Sequence, residues 1–220
     1  MPTHDYRLAS GQRVPGVTTI ISYRKESGGL VHAAWKLGME GKNYREIWRG
    51  KADAGSVAHA MIEYWLDGKP VHDCPSWEES NIEVRIAAEG AFSVFSRWAE
   101  DTKLLDRMVE KERPMVSERH GYGGTPDLIV KLGASQYEIV DWKTGSRLYS
   151  DHLVQVAAYR DLFEETNPGV QVAGYHLCRF PREGNAFHHS YFNDLHIASE
   201  TFHAMRRIFE LGRQLQRIKS

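Results

Sequence analysis

A chain of 220 residues with 41% hydrophobic and 26% charged side chains has the size and make-up of one globular domain with a real core, which excludes a disordered or low-complexity chain. The formal net charge of −1 excludes attraction to nucleic acid through a whole-molecule positive field, so any such contact needs a local basic patch. Two cysteines, Cys74 and Cys178, are too few for a disulfide framework, a zinc ribbon or a four-cysteine iron–sulfur cluster, and no apolar run is long enough to span a membrane.

The polar start MPTHDYRLAS has no signal-peptide core, which predicts an intracellular, cytoplasmic protein. Next, RVPGVTTIISY (13–23) is rich in Val, Thr and Ile and predicts an extended or early-helical segment entering the core. Residues 28–49 predict one or two helices broken near Gly41, with Trp35 and Trp48 as packing residues. Arg24, Lys25, Lys36, Lys42 and Arg45 are scattered here and read as solvated charges.

The stretch DAGSVAHAMIEYWLDG (53–68) predicts a helix with Asp53 or Ser56 as cap and Gly68 as stop. Val57, Met61, Tyr64 and Trp65 form its apolar stripe, while His59 and Glu63, four apart, share another. Residues 77–100 predict a long amphipathic helix whose inward side is Ile82, Ile86, Ala87, Phe92, Phe95 and Trp98. LLDRMVEKERPMVSERHGYGG then reads as a strand, with Glu112 and Glu118 on either side of Pro114-Met115-Val116-Ser117.

The next stretch, GYGGTPDLIVKLGASQYEIVDWKTG (121–145), is written as a hairpin: two apolar runs, LIVKL and YEIV, about a turn at Gly133-Ala134-Ser135. Asp127 opens the first strand; Asp141 and Lys143 close the second and point to one face, with Trp142 opposite. Folding the hairpin brings Asp127 beside Asp141, gathering two carboxylates and an ammonium at one end of a sheet. That set suits a hard divalent cation, which takes oxygen ligands and activates water against a phosphodiester. The competing structural reading is an ion pair at a strand end and a turn cap. It does not account for burying so much charge beside apolar strands.

After the hairpin, Ser150 or Asp151 caps a helix DHLVQVAAYRDLFEE that packs through Leu153, Val156, Ala157, Leu162 and Phe163, with Gln155 and Tyr159 four apart on one stripe. QVAGYHLCRF (171–180) and FHHSYF (187–192) predict paired strands; His188 and His189 point to opposite faces, a poor metal pair. A last helix, 196 to about 217, carries Arg206, Arg207, Arg213 and Arg217 on mixed faces and reads as solvated. The expected fold is α/β (α+β): a central mixed sheet flanked by helices in a single domain spanning 1–220. Its parts are a helical region at about 25–100, a sheet core at about 104–192 and the closing helix.

Pro126-Asp127, followed fourteen residues on by Asp141-Trp142-Lys143, resembles the signature of the PD-(D/E)XK nucleases, whose core is the restriction-endonuclease-like fold. GGTPDLI and EIVDWKTG are similar to the RecB-like, phage-type exonuclease branch, as are the opening PGVTTI, the Gly-Ser-x-x-His helix and the Gln-x-x-x-Tyr helix. The resemblance implies Mg2+ or Mn2+ held by His59, Asp127, Asp141 and the Trp142 carbonyl, with Lys143 assisting the attack of water. It also implies Glu63 as an orienting partner, Glu112 or Glu118 as an extra acidic residue, and Gln155 and Tyr159 beside DNA. No G-x-x-x-x-G-K-[ST] sequence occurs, so these 220 residues contain no P-loop motor.

The function so implied is a metal-dependent exonuclease acting on DNA in recombination, repair or replication of a phage or mobile element. A single-strand-binding or recombination protein is a candidate partner. The rival readings are a structure-specific endonuclease using the same site and a non-catalytic nucleic-acid-binding protein of the same fold.

Overall fold

In the computed structural model, residues 5–23, 28–144, 147–180 and 187–218 are described, without the side chains of 28–30, 47–53, 144 and 180. Arg24, Lys25, Gly145 and the side chains of Trp48 and Asp53 thus lie outside the described residues. The expected hairpin forms. Strand β4 (Leu128–Lys131) pairs antiparallel with β5 (Gln136–Thr144), Leu128 opposite Val140 and Lys131 opposite Tyr137. Leu132 and Gly133 N–H groups close the turn on the Gln136 carbonyl.

Helix α6 (Ser150–Thr166) carries the chain back so that β6 (Gln171–Phe180) lies parallel to β5. Strand β7 (His188–Phe192) then adds antiparallel to β6, and β1 (Met108–Lys111) adds antiparallel to β4. The mixed sheet runs β1-β4-β5-β6-β7, while β2 (Met115–Ser117) and β3 (Tyr122–Gly124) form a separate antiparallel pair. Its central strands are near-continuous apolar runs because both faces are covered.

On one face Leu128, Val130, Val140, Trp142 and Cys178 pack against Met61, Ile62 and Phe95 of α3 (Tyr44–Leu66) and α5 (Ile82–Asp101). On the other, Ile129, Ile139, Tyr175 and Leu177 meet Val156, Leu162 and Phe163 of α6 and Phe202 of α7 (His196–Ile218). The short α1 (Val17–Ser22) joins this second core, so the 13–23 segment is extended up to Gly16 and helical from Val17. The remaining helices are α2 (Gly28–Met39), broken from α3 at Gly41 with φ +70°, and the single turn α4 (Pro75–Glu78). No described helix is long and apolar enough to cross a membrane.

Four expectations need correction. Helix α3 starts at Tyr44 rather than 53, because Asn43 Oδ1 accepts from Arg45 N at 3.1 Å, and Ser56 therefore sits inside the helix. In α5 the inward side is Val84, Ala88, Ala91, Phe95 and Ala99; Ile82 and Ile86 face solvent at 67% and 63% exposure. Trp35 is 58% exposed on α2 and packs into neither core. Helix α6 is preceded by Tyr149, whose N–H donates to His152 Nδ1 at 3.3 Å, so Ser150 and Asp151 lie in its first turn.

Candidate active site

Pairing between β4 and β5 stops at Leu128–Val140, and one step further the register sets Asp127 opposite Asp141 on the α6 face. Beyond that point Trp142 has no β4 backbone partner. Asp127 takes its place: Oδ2 accepts the Trp142 N–H at 2.8 Å in a buried hydrogen bond. Asp127 and Asp141 are 3% and 0% exposed. Lys143 Nζ lies 2.7 Å from Asp141 Oδ2 as its buried counter-charge, while Asp141 Oδ1 has no hydrogen-bond partner among the described residues.

Burial pushes both carboxyls up to about 6. Lys143 opposes the shift in each, while Asp127 adds to it in Asp141. Burial alone would lower Lys143, but Asp141 and Asp127 outweigh it and hold its ammonium above the ordinary value. His59 comes from the opposite side, on α3, its ring 5.9 Å from that of Trp142. Burial and then Lys143 push its imidazole down to about 4, against Asp141 and a hydrogen bond with the Trp142 backbone. It is neutral at pH 7, the form that ligates metals, and its Nδ1 is buried without a partner.

The structure distinguishes the two candidate glutamates. Glu112 sits at φ +45°, its N–H on the Asp127 carbonyl at 3.1 Å, and it lines the same cleft as Asp127. Burial, then the charges of Asp127, Glu63 and Asp141, push its carboxyl up to about 8. Glu118 is instead exposed and accepts from Ala9 N at 2.7 Å, a structural pairing. Glu63 stands close enough to repel both Asp127 and Glu112.

A cleft of about 510 Å³ opens over Asp127, between the N-terminal segment and α6, a size typical of ligand pockets. Gln155 and Tyr159 line it, and Gln155 Nε2 donates to Tyr159 Oη at 2.6 Å. Burial, then Asp141, raises the Tyr159 phenol well above its ordinary value, so it stays protonated with a hydrogen to donate. The Gly-Gly before Thr125 makes room for these rings. A Cβ on Gly124 would stand 2.7 Å from Tyr159 Cε1, and one on Gly123 would overlap Tyr6, whose hydroxyl meets Thr125 Oγ1 at 2.9 Å.

Arg13 and Arg213 also line the cleft; Arg213 was expected on a solvated face, and nothing local in sequence ties either arginine to Asp127. The histidines of β7 lie elsewhere: His189 Nε2 is 2.8 Å from His176 Nδ1, in a group with Glu138.

Among the described residues, no three His, Cys, Asp or Glu side chains form a ready-made metal cluster. The donor set still fits a divalent cation. Asp141 Oδ1 and His59 Nδ1 are buried polar atoms without a hydrogen-bond partner, Asp141 Oδ2 has the Lys143 ammonium alone, and the Asp127 carboxylate adjoins Asp141.

The sequence profile of the PD-(D/E)XK nuclease superfamily matches residues 5–218. No curated protein sequence matches the chain. Among solved structures, a candidate exonuclease from Eubacterium rectale is 14% identical with a TM-score of 0.50, over 73% of this chain and 68% of that one. LHK-Exo, an alkaline exonuclease from Laribacter hongkongensis, solved with dAMP, is 11% identical with a TM-score of 0.47, over 94% and 91%. The first of these likenesses speaks for the fold.

Proposed function

The chain belongs to the PD-(D/E)XK nuclease superfamily, and from that premise we propose that it is a metal-dependent deoxyribonuclease of the exonuclease type, with residues 5–218 forming one catalytic domain. The observation that carries this reading is the buried Asp127–Asp141–Lys143 group at the closed end of the β4–β5 hairpin, with His59 brought to it from α3. So much uncompensated polarity in a core opposes folding, and a catalytic use explains why it is there.

Nucleases of this superfamily typically use a divalent metal. Asp127, Asp141, neutral His59 and the Trp142 carbonyl would hold Mg2+ or Mn2+, the imidazole making manganese as suitable as magnesium. Bound there, the cation would polarise the phosphodiester and lower the pKa of a bound water. Lys143 keeps its proton beside Asp141 and presents positive charge where negative charge grows on the phosphoryl oxygens. Tyr159 and Gln155 present hydrogen-bond donors to a DNA strand in the cleft. Glu63, one turn from His59 on α3, is the orienting partner of that ligand rather than a group that touches substrate.

Both cysteines are buried free thiols, in keeping with a reducing intracellular setting. A role in recombination, repair or replication of a phage or mobile element, beside a single-strand-binding or recombination protein, fits an enzyme of this class. The mode of attack is tested by offering linear DNA and the same DNA as a covalently closed circle. An exonuclease degrades the linear form and leaves the circle whole. Cutting of the closed circle would make it an endonuclease.

A further inference from the structure

Resting on the nuclease reading above, we infer that Arg13 and Arg213 form a phosphate clamp, positioning the sugar–phosphate backbone of the substrate strand across the cleft from Asp127. The floor of this cleft is acidic. Asp127 lines it with Asp141 beside it, and the single buried Lys143 does not outnumber these two carboxylates, so a phosphodiester approaching the reacting groups needs cations from the cleft walls. The cations among the cleft-lining residues are Arg13 and Arg213.

These two arginines come from opposite ends of the chain, and packing explains why both line one cleft. Helix α1 lies against α7, with the Tyr23 ring edge-on to Phe209 at a centroid distance of 5.0 Å. Gly212 is the point of closest approach, where any side chain would overlap the Tyr23 ring. This contact sets the position of α7 against the N-terminal segment and leaves the next residue, Arg213, over the cleft.

The charge pattern on α7 separates Arg213 from its neighbours. Arg206 and Arg207 both pair with Glu210, whereas Arg213 has no ion-pair partner among the described residues. Its contact is the Phe209 ring face, 5.9 Å from the guanidinium carbon. Arg13 is tethered to Asp5 at 2.9 Å, but both side chains are well exposed, and such a surface pair exchanges readily for a phosphate. Two planar guanidiniums can each grip phosphate oxygens with paired N–H groups. They are positioning residues: they hold the strand while Asp127, Asp141 and Lys143 act on it.

The test separates binding from cleavage. Fluorescence anisotropy of a labelled single-stranded oligonucleotide, in EDTA and over a series of salt concentrations, gives affinity and its salt dependence without turnover. Arg13→Ala and Arg213→Ala should each weaken binding roughly tenfold at low salt and flatten the slope of log affinity against log salt by about 0.7. Arg213→Lys should keep the slope, since the charge remains. Lys131→Ala, at the turn end of β4 away from Asp127, should match wild type. With metal, the alanine variants should raise KM and leave kcat little changed. Wild-type salt slopes in both alanine variants of a protein that itself binds and cleaves would overturn the clamp alone. A wild-type protein that neither binds nor cleaves would overturn the nuclease reading, and the clamp with it.

Discussion

Asp127→Asn is expected to reduce cleavage by at least about a thousandfold while leaving the metal-free protein as stable as wild type, or more so. The side-chain oxygen that accepts the Trp142 N–H survives the change, so the link between β4 and β5 stays in place. What is lost is a buried negative charge. The folded-state pKa of Asp127, about 6, lies above its unfolded value near 4. Between those values the folded chain binds more protons than the unfolded one, so this group's contribution to stability falls as pH rises. Above pH 6 the ionised carboxylate opposes folding by on the order of 3 kcal/mol, and asparagine escapes that cost. Asp127→Ala would differ: it strands the buried Trp142 N–H, which costs roughly 1–3 kcal/mol. Melting curves in EDTA at pH 7.5 check the ordering. An asparagine variant that melts well below the alanine variant, or that cleaves normally, would contradict the account.

Lys143→Met has the second large effect, and its sign depends on pH. Methionine keeps the length of the side chain but removes the cation beside Asp141 and Asp127. Breaking a buried pair of this kind costs roughly 3–5 kcal/mol, and at 2–4 °C per kcal/mol for a chain of this size that is about 10 °C in melting temperature. The loss should be largest near pH 8, where the unfolded carboxyls are ionised and the folded ones, deprived of Lys143, resist ionisation. It should shrink toward pH 5 as both carboxyls protonate in the fold. His59, with its pKa pushed down to about 4, contributes stability that is lost as pH falls below its unfolded value of 6.5. Lys143 is the second cause of that depression, so the variant's imidazole is depressed less and loses less stability at low pH, which narrows the deficit toward pH 5 further. A deficit of equal size at pH 5 and pH 8, measured without metal, would sink the assignment of Lys143 as the counter-charge.

Much of the candidate site was legible because hairpin physics is local. A turn at Gly133-Ala134-Ser135 and strict side-chain alternation fix which residues face which, so Asp127, Asp141 and Lys143 could be placed together from spacing. Gln155 and Tyr159 were likewise readable as helix neighbours, and the structure joins them by a hydrogen bond. The helical part was harder for identifiable reasons. The start of α3 is written as Asn43-Tyr44-Arg45-Glu46, and Asn43 Nδ2 donates to Glu46 Oε1 at 2.8 Å, but a later Asp and Ser competed for the cap. In α5 the isoleucines looked like the core side, yet close packing on α3 selects Ala88, Ala91 and Ala99. Glu112 and Glu118 differ in backbone geometry and surroundings that no local motif encodes. Arg13 and Arg213 line one cleft because α1 docks on α7, a long-range contact.

The most direct test of the central claim is cleavage of end-labelled linear DNA, single- and double-stranded, with magnesium, manganese or EDTA, with Lys143→Ala run beside wild type. The predicted result is loss of label by wild type with either metal, none in EDTA and none by the variant. No cleavage with either metal, or equal cleavage by Lys143→Ala, would contradict it.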